Sequence, residues 1–337
     1  MRTSKLWVGG LVAACCLLAF SVAQAGEKFP TRTITNAVHS NAGGGTDLGN
    51  RLLSSVMEDI LGGKINVVNM PGASGGVAAN NVWQNRHDGH SWVGISEGHV
   101  ALAVLGAHPT TTKDWEFYLF GGTPGVMSVR EDSPYQTAAD VIKAMKDNPG
   151  QIKLAASQAG CIWHIKAVLL SQAAGVQFKF IPYQGSNPSI LACLSGEVDV
   201  IITGMGEQAE YLGAKKLRPL AMIELDKWDV PSYTDVPSIV DTVPAMKDKL
   251  PLDQLIGFVI PADTPRETLD AIAAAFNKAC ESDKAQEYAK KSYLNIYNLT
   301  GEEARKVAAG HESVFSWLLY DLKLAPKNPE ELGIPKP

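Results

Sequence analysis

The sequence is poor in cysteine: five in 337 residues, and Cys15 and Cys16 fall in an apolar leader. The other three, Cys161, Cys193 and Cys280, form no C-x-x-C and no His/Cys cluster, so the spacing of a structural zinc site is missing. Cys161 and Cys193 could pair, since both sit near the starts of neighbouring helices; three buried free thiols are the other reading. Lysine and arginine nowhere cluster, which excludes the phosphate neutralisation that nucleic-acid binding needs. There is no G-x-x-x-x-G-K-S/T. Gly43-Gly44-Gly45 followed by Gly49 does not have the G-x-G-x-x-G spacing, so no nucleotide cofactor is expected, nor any other. Heptads, repeats and low-complexity tracts are also missing. Beyond the leader no apolar run reaches the roughly 20 residues that span a bilayer.

The leader itself is informative. Arg2 and Lys5 precede an apolar run from Leu6 to Val22, and Ala23-Gln24-Ala25 follows. That order is a Sec-type signal peptide cleaved after Ala25, which directs the mature chain to the periplasm. Val12-Ala13-Ala14-Cys15 resembles a lipoprotein box, but the apolar run before Cys15 is very short, which favours simple cleavage. Loss of Arg2 and Lys5 takes the formal charge from -5 to -7, a mildly acidic surface.

Strand and helix alternate along the rest. Thr33–Ser40 reads as a strand and Asp47–Leu61 as a helix, with Leu48, Leu52, Val56 and Ile60 as its apolar stripe, Thr46 as its cap and Gly62-Gly63 as its stop. Strands follow at 65–69, 91–96, 125–130, 152–157, 178–181 and 198–202, with helices between them. Asn187 and Thr264 are placed to cap helices that begin at Pro188 and Pro265. This rhythm predicts an α/β fold with mainly parallel sheets flanked by helices.

Parallel sheets place ligands beyond the carboxyl ends of their strands. The residues there are Asn41, Ala42, Gly43, Gly44, Gly45, Thr46 and Asp47, then 69–76, Ser96 to Gly98, Ser157 to Cys161 (with Gly160), Tyr183 to Ser186 (with Gly185), and Thr203-Gly204. Nearly all are small or neutral. Free N–H groups at helix starts bind a carboxylate without lysine or arginine. Asp47 competes with an anion for those N–H groups; it could pair with Arg51 four residues on and simply stabilise its own helix, or accept from a ligand hydroxyl or amine. His39, at a strand end, could donate to a carboxylate or be structural. Trp163 could stack on a ligand ring or simply pack at a hinge, and His164 beside it caps or packs.

A catalytic reading also exists. Gly94-Ile95-Ser96-Glu97-Gly98 fits the G-x-S-x-G of a hydrolase nucleophile elbow. The late histidine it requires is His311, which lies on a long helix and not on a loop after a strand, and the helix after Ser96 is short.

The order of the motifs resembles the Bug (TctC-like) solute-binding receptors of tripartite tricarboxylate transporters. AGGGTDLGNR, VVNMPGASGGVAAN, RHDGHSWVG, SVREDSPYQTAADVIKAMKDNPGQIKLAAS, IPYQGSNPSILACLSGEVDV, KKLRPLAM, DVPSIVD and GFVIPADTP occur in that family's order over about 290 residues. The resemblance implies a two-lobed, Venus-flytrap, type II-like periplasmic binding protein. It implies lobes of 26–124 plus about 253–337 and of about 125–252, a monomer without catalytic activity, and a small carboxylate gripped in the cleft. Membrane permease subunits would be the partner. The gripping role falls on Asn41 to Asp47, Ser157 to Cys161, Tyr183 to Ser186 and Thr203-Gly204. Many relatives have Pro-Phe where His39-Ser40 stand, and Cys161 and Trp163 occupy a loop that is often Gly/Ser-rich. A secreted hydrolase using Ser96 and a receptor that presents ligand to a membrane kinase are the alternatives.

Overall fold

The computed structural model describes residues 29–183 and 185–337; the leader, its cleavage site and Cys15 and Cys16 lie outside the described residues. In chain order the strands are β1 (Ile34–Val38), β2 (Ile65–Asn69), β3 (Ser91–Ile95), β4 (Trp115–Gly122), β5 (Gly125–Arg130), β6 (Lys153–Ala155), β7 (Lys179–Phe180), β8 (Val200–Gly204), β9 (Leu217–Met222), β10 (Trp228–Val230), β11 (Tyr233–Val236), β12 (Ile256–Pro261) and β13 (Asn295–Leu299). The helices are α1 (Gly45–Leu61), α2 (Gly76–Trp83), α3 (Ala138–Asp147), α4 (Ile162–Ala174), α5 (Ser186–Ser195), α6 (Met205–Gly213), α7 (Ile239–Thr242), α8 (Arg266–Glu281), α9 (Asp283–Ser292) and α10 (Gly301–Asp321).

The strands build two sheets and hence two lobes. One has the order β13-β4-β12-β3-β1-β2 and the other β7-β6-β8-β5-β9; β10 and β11 form a separate hairpin. The sheets are mixed, not mainly parallel. β1 lies parallel to β2 and β3, and β6 to β7 and β8. β12 runs antiparallel to β3 and β4, β13 to β4, and β5 to β8 and β9. The cause is the chain path. After β4 the chain leaves the first sheet for the second, and it returns as β12, which inserts between β3 and β4 in the opposite sense.

The two crossings run side by side. Thr123 N–H and Oγ1 both reach Gln254 Oε1, at 3.1 and 3.2 Å. A Cβ on Gly122 would fall 2.0 Å from the Gln254 carbonyl oxygen, so glycine is required for that approach.

Several local expectations are corrected. The buried face of α1 is formed by Leu53, Val56, Met57 and Leu61, whereas Leu48 is 45% exposed. Every fourth residue of an α-helix advances 400°, so a strict four-residue row drifts off the core face. Towards its start α1 is held by polar contacts: Asn36 Nδ2 donates to Asn50 Oδ1 at 3.0 Å, both side chains fully buried. Gly44 is the cap of α1, with no side-chain capping bond, so Thr46 is not the cap but a buried first-turn residue. α5 is capped by Gly185 and starts at Ser186, ahead of Asn187 and Pro188. α8 starts at Arg266 after Pro265 as cap.

Candidate functional site

The glycine loop is held from below by its own aspartate. Asp47 is 1% exposed. Its carboxylate accepts from Gly43 N–H at 2.8 Å, Arg51 Nε at 3.1 Å and Asn69 Nδ2 at 2.8 Å. Burial pushes this carboxyl up, but the bonds from Arg51, Gly43 and Asn69 outweigh it and hold the group below the usual carboxylate range. Asn69 also donates to Ser40 O at 3.0 Å, so β2 and the loop after β1 are tied together. Gly43 takes φ +84°, the left-handed conformation that lets its N–H turn back to Asp47. Asn41, Ala42, Gly43 and Gly44 are exposed. Gly44 has no capping side chain, so no side-chain cap bond is made to the first turn of α1.

His39 joins this loop to the end of β3. Ser96 N–H donates to His39 Nε2 at 2.7 Å, and Ser96 Oγ lies 3.1 Å from the same nitrogen. Nε2 is therefore an acceptor and the proton sits on Nδ1, which is buried without a partner. Burial pulls the His39 pKa down to about 4. A Ser-His pair thus exists, formed with His39 and not with His311, whose nitrogens bond the carbonyls of Val307 and Asp253. Among the described residues no acidic side chain orients His39, its basicity is far below the range useful to a general base, and Ser96 has an ordinary extended backbone.

In the second lobe Ser157 adopts φ 62°, its N–H donates to Ser189 Oγ at 3.1 Å, and Tyr183 N–H donates to its carbonyl at 3.1 Å. Gly160 N–H donates to His164 Nδ1 at 3.0 Å, and His164 stacks on Phe180, so His164 serves the loop. The Cys161 thiol donates to Ala156 O at 3.0 Å, and burial pushes its pKa up to about 12. Cys161, Cys193 and Cys280 are all free thiols. The Tyr183 ring packs on the apolar cluster of this lobe, and burial followed by the neighbouring Glu197 raises its phenol to about 12. The Ser186 hydroxyl and Gly204 N–H (2.9 Å) both donate to Glu207, while Thr203 Oγ1 accepts from Gln208.

Trp163 is buried against the backbone where the lobes meet. A Cβ on Gly125 or Gly204 would lie 3.0 Å from its ring. One helical turn further on, Lys166, fully buried, donates to Glu224 Oε1 at 2.6 Å, and Gly125 N–H donates to the same oxygen at 2.6 Å.

Sequence reasoning passed over Glu97, counting only its neutral neighbours. Glu97 is 3% exposed, and its Oε1 accepts from Ile162 N–H, the first residue of α4, at 3.1 Å. Leu255 N–H, one residue before β12, also faces the carboxylate. Its Oε2 is buried with no partner. Burial raises its pKa to about 7. The signal available in the sequence was a carboxylate directly after a strand, at a position where the other residues are neutral. A concavity of about 670 Å³ lined by Trp228, Tyr293 and Asn295 lies elsewhere and includes none of these residues.

Comparison with known proteins follows the same lines. A sequence model described as "Tripartite tricarboxylate transporter family receptor" matches residues 50–317. The chain is 29% identical over 275 residues to a UPF0065 protein in the tcbD-tcbE intergenic region of Pseudomonas sp. strain P51, covering 80% of each. The fold is similar to that of the periplasmic binding protein BugD, with TM-score 0.74, 22% identity, and 92% of this chain and 100% of that one covered. It is also similar to MatC from Rhodopseudomonas palustris with bound malate, with TM-score 0.72, 22% identity, and 85% and 100% covered.

Proposed function

The chain belongs to the tripartite tricarboxylate transporter receptor family, and on that premise we propose that it is a periplasmic receptor which captures a small carboxylic acid between its lobes. It then delivers the acid to the membrane permease of a tripartite transporter. The observation that carries this reading is the glycine loop: Asp47 is satisfied internally, Gly44 caps α1 without a side chain, and the first-turn N–H groups are left for an external carboxylate. Malate bound to the related fold of MatC supports the ligand class. Residues 1–25 act as the export signal. Residues 26–124 with 253–337, and 125–252, are the two bodies that close around ligand, with Thr123–Gly125 and the segment near Gln254 as the hinge. Closure is a population shift driven by ligand contacts to both lobes. Hydrolysis by Ser96 is not part of this reading, because His39 lacks both an orienting acid and the basicity to serve.

The test is thermal unfolding of the mature protein, refolded to strip ligand, against citrate, malate, succinate, glutamate, nicotinate, benzoate and terephthalate. An acid at 100 times its dissociation constant stabilises by about 2.7 kcal/mol. A shift of several degrees with any of them supports the receptor reading. Silence across the panel contradicts it.

A further inference from the structure

Among the described residues, Glu97 is the acidic side chain that reaches from the first lobe to a helix start of the second. It takes the place at the N-terminus of α4 that an anionic ligand would otherwise use. Its Oε1 is satisfied there, yet Oε2 is buried with no hydrogen-bond partner. Among the described residues no cation pairs with it. The charged group whose field reaches it is a second carboxylate, Glu207, at the start of α6, whose oxygens take the Gly204 N–H and the Ser186 hydroxyl. Lys166, the buried cation of this region, is committed to Glu224. A buried carboxylate with one open oxygen costs free energy until a donor reaches it, and a positive donor is favoured most.

The polar elements of the interlobe region are therefore unequal. The first lobe offers uncapped N–H groups at the start of α1, suited to an acceptor. The start of α4 offers an acceptor, Glu97 Oε2, suited to a donor.

We propose that Glu97 is an ammonium subsite: the ligand is an amino acid, its carboxylate held by the glycine loop and its amine by Glu97 Oε2. This deepens the carboxylate-receptor reading and rests on it. The ligand ammonium supplies both the missing hydrogen bond and the missing positive charge. A simple dicarboxylate would instead bring a second negative charge towards Glu97 and Glu207.

The test compares matched pairs that differ only in the amine: L-glutamate with glutarate, and L-aspartate with succinate, titrated calorimetrically into the stripped wild type and into Glu97→Gln. In the wild type at least one amino acid binds roughly ten- to a hundredfold tighter than its deaminated partner, the range expected of a charged hydrogen bond. In Glu97→Gln, which keeps an oxygen for Ile162 N–H, that ratio falls to near unity. Deaminated acids that bind as tightly as the amino acids in the wild type overturn the ammonium subsite and leave the carboxylate reading standing. Failure of both kinds to bind overturns the ammonium subsite, while the carboxylate reading stands or falls on the full panel of acids. The wild-type ratio stands as a readout even where Glu97→Gln does not fold. An amino-acid preference that survives intact in folded Glu97→Gln places the amine elsewhere and overturns the assignment.

Discussion

The Glu97 carboxylate accepts the Ile162 N–H at 3.1 Å, and this bond joins the end of β3 in one lobe to the start of α4 in the other. An acidic side chain held there without a cation has a thermodynamic signature. Its pKa rises from 4.5 to about 7 because burial penalises the charged form. Between those values the folded protein binds more protons than the unfolded chain, so stability is intact below about pH 4.5 and is lost as pH rises towards 7. Without ligand, Glu97→Gln should match the wild type near pH 4 and exceed it by on the order of 3 kcal/mol above pH 7. Urea unfolding of both proteins across that range measures the difference; a constant gap at all pH values contradicts the assignment.

The Asp47 network predicts a different result. Replacing Asp47 with Ala removes the shared acceptor of Gly43, Arg51 and Asn69. Loss of such a buried charged acceptor costs about 2–3 kcal/mol, and the freed loop should also lose ligand affinity. Chemical denaturation reads the first effect and titration with the stabilising acid reads the second. Unchanged affinity would show that the loop does not depend on Asp47 for its shape.

At the end of β8, Gly204 has no room for a methyl group. A Cβ there would lie 2.4 Å from Thr123 Oγ1, 3.0 Å from the Trp163 ring and 3.1 Å from Glu207. Gly204→Ala should destabilise by about 1–3 kcal/mol through overpacking. Because Trp163 forms one wall, its fluorescence should shift in the folded variant, and an unchanged spectrum with full stability would refute this packing.

The Lys166–Glu224 pair gives an asymmetric prediction. Lys166→Met leaves Glu224 buried and unpaired, at a cost of about 3–5 kcal/mol. The double variant Lys166→Met/Glu224→Gln keeps an acceptor for Gly125 N–H and should recover much of the loss. Equal destabilisation of the single and double variants would show that the pair contributes little beyond its packing.

Much of this was legible in the sequence, and the gaps have physical reasons. The rhythm of strands and helices predicts the α/β fold, and the glycine loop announces itself before α1. Pattern reading misses β4, because WEFYLFGG is buried along its whole length and shows no alternation. It misses the antiparallel insertion of β12, because strand direction is set by where a distant segment returns. It places Asp47 and Arg51 together correctly, but Asn69, from β2, is brought to them only by the fold. Ser96 is found by its motif, while its partner His39 and the exposed state of Leu48 depend on three-dimensional placement. Glu97 is overlooked because its role depends on a helix start 65 residues away in the chain.

The central claim is that the glycine loop grips the ligand, and Gly44 is where it can be tested with least disturbance. Its φ is -79°, open to any residue, and a Cβ there would lie 3.8 Å from the Asn41 carbonyl oxygen, an ordinary contact. Gly44→Val should therefore fold, losing no more than about 1 kcal/mol at the cap. The decisive measurement is calorimetric titration of the wild type and Gly44→Val with the acid that most stabilises the wild type. The account predicts at least about a tenfold loss of affinity in a variant that still unfolds cooperatively. Full affinity in folded Gly44→Val would contradict it.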